Sequence, residues 1–199
     1  GFGVDLDRVR VSPTTTDKVP NTPPTAASTG TDLNGAAVLD AVETLKDRIS
    51  RALAPIFSGS GGGEATQPAD ILFQGNVIFD AKHPSRRLPF AEAMARMRLC
   101  QVSLSATGFY RTPGIGWDKQ KFEGRPFHYF AFGMAVSEVE VDLLTGRLCL
   151  LRTDILHDVG ETVNRGIDLG QVTGGFLQGV GWVTTEEILW DDSGHLLTH

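Results

Sequence analysis

Apolar residues recur at helical spacing in two stretches of the chain, and each stretch predicts an amphipathic helix. The first helix is expected over residues 32–54 and should end near Pro55, because proline cannot donate the next helical hydrogen bond. The second is expected over residues 88–101. The apolar sides consist of Val38, Val42, Leu45, Ile49 and Leu53 in the first helix, and of Phe90, Met94, Met97 and Cys100 in the second.

A third helix is predicted over residues 167–188, although this stretch is rich in glycine. Each interior glycine costs about 1 kcal/mol relative to alanine, so this helix needs support from outside. Spacings of four and five residues place several glycines near one side, where another backbone or a ligand can come close. The glycines are Gly170, Gly174, Gly175, Gly179 and Gly181.

Period-two alternation predicts β-strands in the rest of the chain. Short strands are expected over residues 7–12, 71–79 and 103–111, and a long hairpin over residues 128–142 and 148–157. Gly146 provides the positive φ that the hairpin turn requires. The apolar positions change face near Ser137, which predicts a β-bulge or a strong local twist. The expected fold class is α+β, with a long twisted hairpin and two to three packed helices.

The segment between the first two helices has the composition of a linker. Residues 58–63 read Ser-Gly-Ser-Gly-Gly-Gly and contain nothing that can bury apolar area. We therefore predict a flexible connector over residues 58–68, between two sublobes of one piece that spans residues 1–199.

Composition narrows the class of protein. The chain has 199 residues, of which 41% are hydrophobic and 21% charged, as in a soluble globular protein. A net charge of −6 argues against nucleic acid and anionic membranes as partners, and no apolar run approaches the roughly 20 residues that span a bilayer. Cys100 and Cys149 lie far apart, which predicts reduced, buried thiols and a cytoplasmic location.

A proline-rich stretch precedes the first helix and leads into small and hydroxyl-bearing residues. Residues 20–35 read PNTPPTAASTGTDLNG. Small side chains allow a bulky group to lie against the backbone, and hydroxyls beside a helix start favour an anion. An ordinary helix entry, with Ser28 or Thr31 as N-cap, explains the same residues. Asp32 would compete with a bound anion.

This stretch and three later blocks resemble, in order, the molybdenum-binding subunit or domain of the xanthine dehydrogenase/aldehyde oxidase family of molybdenum hydroxylases. The later blocks are SLSATGFYRTP (residues 103–113), RPFHYFAFGMAVSEVEVDLLTG (residues 125–146) and RTDILHDVGETVNRGIDLGQVTGGFLQGVGWVTTEE (residues 152–187). Several long blocks in register are far more specific than one short motif, and the resemblance covers essentially the whole chain.

The resemblance implies a molybdenum–pterin cofactor and a role for individual residues. The backbone of Ala27 would lie beside the molybdenum, without a side-chain ligand. Ser28, Thr31 and Gln171 would contact the pterin. Pro24 and Ala26 would line the approach of the substrate. In this chain Pro23 stands where the family often has serine, and Gly30 replaces a serine of some members.

The resemblance also implies that the chain is an internal fragment of the cofactor-binding domain. The fragment would lack the glutamate that acts as catalytic base, so no catalytic residue is assigned within it, and it should be inactive alone. The parent would oxidise hypoxanthine and xanthine to urate and pass electrons to iron–sulfur clusters and FAD in partner domains or subunits. Its partners would include the rest of the molybdenum subunit and a second copy in a homo-oligomer.

Two alternatives remain open at this point. The parent could resemble an aldehyde oxidase, because much of the substrate discrimination would lie outside the fragment. Alternatively, the chain could be a non-catalytic module that binds cofactor or subunits.

Overall fold

The computed structural model describes residues 1–13, 15–17, 30–59 and 64–198. The chain forms two compact units, of which the first is Gly1–Gly114 and the second is Ile115–His199. Three α-helices and small antiparallel sheets make up the described residues, as expected for the α+β class.

The first unit contains two helices and a three-stranded antiparallel sheet of order β1-β2-β3. Its elements are α1 (Gly35–Ser58), β1 (Ile71–Gln74), β2 (Val77–Asp80), β3 (Arg87–Pro89) and α2 (Phe90–Leu99). Both helices pack on the sheet and enclose one core. Its buried members are Ile49, Leu53, Ala54, Ile71, Ile78, Leu88, Ala93 and Met97.

The two predicted helices of this unit form, with different ends. A π-helical turn, Gly30–Asn34, precedes α1. The helix continues past Pro55, because the half-buried Ile56 and Phe57 pack against the core and compensate for the missing hydrogen bond. In α2, Met97 is fully buried, but Cys100 is exposed at the C-cap. Cys149 is exposed as well, so the prediction of buried thiols was wrong.

The single strand predicted over residues 71–79 is a hairpin. Gly75 and Asn76 have φ of 58° and 65°, and two residues with positive φ form the tight turn that joins twisted antiparallel strands. The Asn76 side chain also bonds the backbone N–H and the carboxylate of Asp5, at 3.0 and 2.7 Å. This residue therefore anchors the N-terminal segment to the sheet.

Two other strand predictions in this unit were wrong. Residues 7–12 are exposed and overlap a 3₁₀ turn, Leu6–Arg8, because no strand in the described part of the chain pairs with them. Residues 103–111 alternate in burial but form no strand. Side chains of α1 take the place of a partner strand: Arg48 donates to two backbone carbonyls, and Asp40 accepts from the N–H of Phe109.

The predicted connector, residues 58–68, lies inside the first unit. The boundary between the units falls after Gly114, and the helix before the connector shares its core with the strands after it. Residues 60–63 lie outside the described part of the chain. The flanks of the connector are tied together, since the N–H of the buried Thr66 donates to the Ser58 hydroxyl at 2.9 Å.

The second unit contains two hairpins and one helix. Its elements are β4 (Gly116–Asp118), β5 (Glu123–Arg125), β6 (Gly133–Val141), β7 (Leu148–His157) and α3 (Arg165–Thr184). The long hairpin β6–β7 confirms the prediction, with a start at Gly133 rather than residue 128. Gly146 has φ 72° in its turn. The register shifts between Glu138 and Val139, which confirms the bulge predicted near Ser137. Helix α3 starts two residues earlier and ends four residues earlier than predicted.

Candidate cofactor-binding surface

Helix α3 carries Gln171, the pterin-binding candidate of the second unit. The side chain of Asn164 caps the helix and accepts hydrogen bonds from the N–H groups of Gly166 and Ile167, at 3.0 and 3.3 Å. This cap occupies two of the four free N–H groups at the helix start. Gln171 follows in the second turn and is exposed. Its amide, with both donor and acceptor atoms, is therefore free to bind a polar group from outside the helix.

The glycines around Gln171 leave the helix backbone accessible. Gly175 and Gly179 line the cleft toward the hairpin, whereas Gly170 and Gly174 do not. A Cβ atom added at Gly170 or Gly174 would meet no atom within 4 Å. The glycines are thus not required by packing between described residues. They keep open a strip of backbone along which a planar group can approach more closely than side chains normally permit.

Gln171 and the apolar residues of α3 lie on different sides of the helix. At 100° per residue, Phe176 and Val180 are more than 120° away from Gln171. Phe176, Val180 and Val183 face β6 and β7 across an apolar cleft of about 360 Å³, whose other wall includes Val139, Leu148 and Leu150. The hairpin therefore takes one side of α3 and leaves the Gln171 side open.

Asp168, in the first turn of α3, offers a further indication of a polar ligand. Its Oδ2 atom is buried and has no hydrogen-bond partner among the described residues. A buried acceptor without a donor is unfavourable, so this oxygen requires a donor from water or from a group outside the described residues. The exposed amide, the open glycines and this oxygen are consistent with a flat, polar group such as a pterin.

Thr31 is the pterin-binding candidate of the first unit. It is exposed within the π-helical turn before α1. The N-cap of α1 is Asn34, with helical φ and ψ and without a side-chain cap bond, so Thr31 is not the N-cap. Pro24, Ala26, Ala27 and Ser28 lie outside the described residues, so their assignments stay predictions. Thr31 and Gln171 belong to different units, and the structure describes each within its own unit.

A buried polar cluster at the end of β2 was not predicted from the sequence. Asp80 is fully buried and accepts hydrogen bonds from the Thr66 hydroxyl at 2.6 Å and from two backbone N–H groups. His83 and Arg86 lie 3.2 and 3.6 Å from the same carboxylate. The spacing Asp-x-x-His-x-x-Arg before a short strand was the available signal.

The environment of Asp80 changes its acidity. Burial by itself raises the pKa of this carboxyl group, but hydrogen bonds from Thr66, Lys82 and His83 outweigh burial and lower the pKa to about 2. Asp80 therefore stays ionised, and it holds the segment after the connector against the sheet. The cluster is structural, because its hydrogen bonds join residues 64–66 to residues 80–86 within the first unit.

Within residues 1–13, 15–17, 30–59 and 64–198, no group of three or more His, Cys, Asp and Glu side chains is arranged to hold a metal ion. No helix in this part of the chain has the length and apolar character needed to cross a bilayer.

The fold recurs as part of two larger solved proteins. It matches quinoline 2-oxidoreductase from Pseudomonas putida 86 with a TM-score of 0.66 and 22% identity, over 87% of this chain and 21% of that chain. It also matches the Cu,Mo-CO dehydrogenase in its carbon monoxide reduced state, with a TM-score of 0.65 and 20% identity, over 87% of this chain and 20% of that chain. At these identities the likeness shows the fold alone.

The sequence identifies the family. The model of the molybdopterin cofactor-binding domain matches residues 1–199. Xanthine dehydrogenase of Dictyostelium discoideum is 42% identical over 200 residues, and that of Oryza sativa subsp. japonica is 41% identical over 194 residues. Xanthine dehydrogenase/oxidase of Felis catus is 42% identical over 195 residues. The chain belongs to the molybdopterin cofactor-binding domain family, which confirms the resemblance.

The matched relatives are much longer than this chain. The alignments cover 98–99% of the chain but only 12–13% of the relatives. The chain therefore corresponds to about an eighth of a xanthine dehydrogenase.

Proposed function

We propose that this chain forms one wall of the molybdenum–pterin pocket in a xanthine dehydrogenase that oxidises hypoxanthine and xanthine to urate. The observation that supports this most strongly is the match of 41–42% identity to xanthine dehydrogenases over nearly all 199 residues. The open, amide-bearing side of α3 supports it independently, because it suits a planar polar ligand.

Each candidate residue has a defined task in this proposal. The amide of Gln171 and the hydroxyls of Thr31 and Ser28 hold the pterin by hydrogen bonds. The backbone of Ala27 would lie beside the metal, without a side-chain ligand. Pro24 and Ala26 shape the approach of the purine. When bound, the molybdenum–pterin group supplies the oxidative hydroxylation chemistry.

The parent protein provides the parts that this chain does not. We propose a cytoplasmic homo-oligomer in which iron–sulfur clusters and FAD, in other domains or subunits, accept the electrons. The catalytic base would be a glutamate outside these 199 residues, so the chain alone should have no turnover.

Substitution of Gln171 tests the proposed cofactor contact. In the parent enzyme, Gln171→Ala removes a hydrogen bond worth about 0.5–1.5 kcal/mol, which corresponds to about two- to twelvefold weaker pterin binding. Cofactor occupancy is measured as molybdenum by elemental analysis and as released pterin by fluorescence. Gln178→Ala is the matched control, since Gln178 is also exposed and lies two turns further along α3.

Thermal melts of the cofactor-free protein distinguish a binding role from a structural one. We expect the same melting temperature for wild type and Gln171→Ala without cofactor. A loss of about 1–3 kcal/mol in the cofactor-free state would show that Gln171 satisfies a buried group of the protein itself. Such a loss would remove Gln171 from the cofactor contacts.

The activity of the purified parent tests the substrate. Oxidation of xanthine supports the proposal. Oxidation of aldehydes without xanthine would place the parent with the aldehyde-oxidising relatives, and a parent that never contains molybdenum would be a non-catalytic module.

A further inference from the structure

The two faces of the β6–β7 hairpin differ in how well they are covered. Residues paired directly across antiparallel strands point to the same face. On the face toward α3, the pairs Val139–Leu150 and Val141–Leu148 lie close to the turn. Their side chains are 38–49% exposed, since α3 covers them in part across the apolar cleft.

The opposite face carries its apolar residues at the other end of the hairpin. Met134 pairs with Leu156, and Val136 follows two residues later on the same face. We call these three residues the outer hairpin patch. They are 62–79% exposed, so no described residue of the second unit covers them to a comparable degree. Leu151 is the extra residue of the bulge in β7, and because of it Leu150 and Leu148 lie on the face opposite Leu156.

An acidic band follows the outer hairpin patch on the same face. Glu138 pairs with Arg152 across the strands, and Glu140 pairs with Cys149. Arg152 forms its ion pair with Asp154, at 2.7 Å. Neither Glu138 nor Glu140 forms an ion pair within the described part of the chain. Asp154, opposite Val136, lies on the same face, so the charged side chains beside the patch (Asp154, Glu138, Glu140 and Arg152) carry a net charge of −2.

A two-stranded hairpin with this much exposed apolar surface is marginal in water unless something covers it. Because the matched relatives contain the aligned region as only 12–13% of their length, a large part of the parent polypeptide is available to do so. A second copy of this chain suits the face less well, since contact between two such faces would bring acidic bands together in a chain of net charge −6.

We propose that the outer hairpin patch is a docking surface for a segment of the parent polypeptide outside these 199 residues. Apolar side chains of that segment cover Met134, Val136 and Leu156, and basic side chains reach Glu138 and Glu140. The inference depends on the proposed function only in taking this chain as one part of a larger enzyme. It assigns the hairpin a structural task that is separate from the cofactor surface of α3.

Thiol labelling at the patch tests the docking surface. Met134→Cys is introduced into the parent enzyme and into the 199-residue chain, and maleimide labelling at position 134 is followed by peptide mass spectrometry. Labelling in urea gives the full reactivity of each sample. We expect labelling in the native parent to be about tenfold slower or more, relative to the chain alone, because access requires local opening of the interface. Leu150→Cys, on the face that α3 covers in part, is the control, since equal protection at position 150 in the two proteins shows that the hairpin is folded in both.

Equal labelling rates in the two proteins would overturn the proposal. Protection in the isolated chain that grows with its concentration would also overturn it, in favour of a second copy. Deuterium uptake of β6 and β7 in the unsubstituted proteins gives the same comparison if the cysteine variant fails to fold, with slower uptake expected in the parent.

Charge reversal tests the second half of the proposal. In the parent, Glu138→Lys combined with Glu140→Lys should speed labelling at position 134 several-fold at low salt, and an unchanged rate would exclude the basic contact. Molybdenum content and xanthine oxidation of the unsubstituted parent test the proposed function separately. If the parent contains no molybdenum but labelling at position 134 is slow, the proposed function is contradicted and the docking surface is still supported.

Discussion

The two units of this chain are held together in different ways. In the first unit, α1 and α2 close over a three-stranded sheet, and Leu53, Ile78, Ala93 and Met97 are 0–1% exposed. In the second unit, none of residues 115–198 is buried, although the unit contains the longest hairpin of the described chain and a 20-residue helix. Regular hydrogen bonding is thus present in both units, but only the first buries its apolar side chains.

This difference shows that secondary structure and stability have separate origins here. Helices and hairpins isolated from a core are marginal in water, and most of their stability in proteins comes from packing. The first unit provides that packing itself. The second unit exposes apolar side chains on both faces of its hairpin and an open glycine strip on its helix, so packing among its own described residues contributes less to its stability.

The largest expected effect is the loss of a core side chain of the first unit. Leu53→Ala should lower the free energy of unfolding of that unit by about 2–5 kcal/mol, whereas Leu150→Ala, at a position already 38% exposed, should cost the second unit less than about 1 kcal/mol.

The tryptophans allow the two units to be followed separately, because Trp117, Trp182 and Trp190 all lie in the second unit. Urea unfolding of the 199-residue chain is therefore followed by tryptophan fluorescence for the second unit and by far-ultraviolet circular dichroism for the helices of both.

For Leu53→Ala we expect the circular dichroism transition to move to lower urea while the fluorescence transition stays in place. If both transitions moved together by the same amount, the two units would unfold as one, and the contrast between them would be wrong.

Removal of the charge of Asp80, the buried carboxylate of the first unit, should have the next largest effect on the free energy of unfolding. Asp80→Asn keeps the size of the side chain but removes the charge that Thr66, His83 and Arg86 surround, at a cost of about 1.5–3 kcal/mol. Asp70→Asn is the matched control, because Asp70 pairs with Lys82, which is 53% exposed, and such pairs contribute about 0–1 kcal/mol. Chemical denaturation at near-neutral pH measures both.

The pH dependence gives the sign of this contribution. The folded pKa of Asp80 is lowered to about 2, below its ordinary value of 3.8, so the unfolded state binds the proton more readily. The stability that Asp80 contributes is complete above about pH 4 and is lost as the pH falls through about 2. The difference between wild type and Asp80→Asn should shrink over that range. A constant difference would mean that shape, not charge, holds the cluster together.

The sequence predicted best those features that depend on local pattern. Apolar spacing located α1, α2 and α3, and the change of face near Ser137 located the bulge. The turn glycine at position 146 was also predicted. Each of these features follows from residues close to one another in the chain.

The features that were missed depend on contacts between distant residues. Residues 103–111 alternate like a strand, but Arg48 and Asp40 of α1 satisfy their backbone instead of a neighbouring strand. Asp80 forms its shortest hydrogen bond with Thr66, which lies within the supposed connector. Gly75 and Asn76 are an exception to this rule. Such a pair is a local signal for a tight turn, but the alternation of residues 71–79 predicted one continuous strand instead.

The candidate site was predicted by resemblance rather than by pattern. Helical spacing placed glycines near Gln171, and the structure shows that this side of α3 is open. Without the resemblance to the family, neither the spacing of the glycines nor the structure identifies a pterin as the group that binds to this side of α3. Pro24, Ala26, Ala27 and Ser28 remain predictions, and the unpaired oxygen of Asp168 was not anticipated, because burial cannot be read from one residue in a glycine-rich helix.

The smallest expected effect concerns Gly174 in α3, where the stability of the helix and the proposed approach of the pterin make opposite demands. A Cβ added at Gly174 meets no atom within 4 Å, so Gly174→Ala should stabilise the helix in the 199-residue chain by up to about 1 kcal/mol. In the parent, the same methyl group would stand one turn from Gln171, in the space where we propose that the pterin approaches. The substitution should therefore raise the midpoint of the tryptophan-detected melt of the chain and lower the molybdenum content of the parent.

Gly179→Ala is the matched control, because its added Cβ is equally free of contacts but lies toward the hairpin cleft. It should stabilise the chain to a similar degree without loss of cofactor. Full molybdenum content in Gly174→Ala would show that the open glycine strip does not face the cofactor, and destabilisation of the isolated chain would show that the strip is already packed.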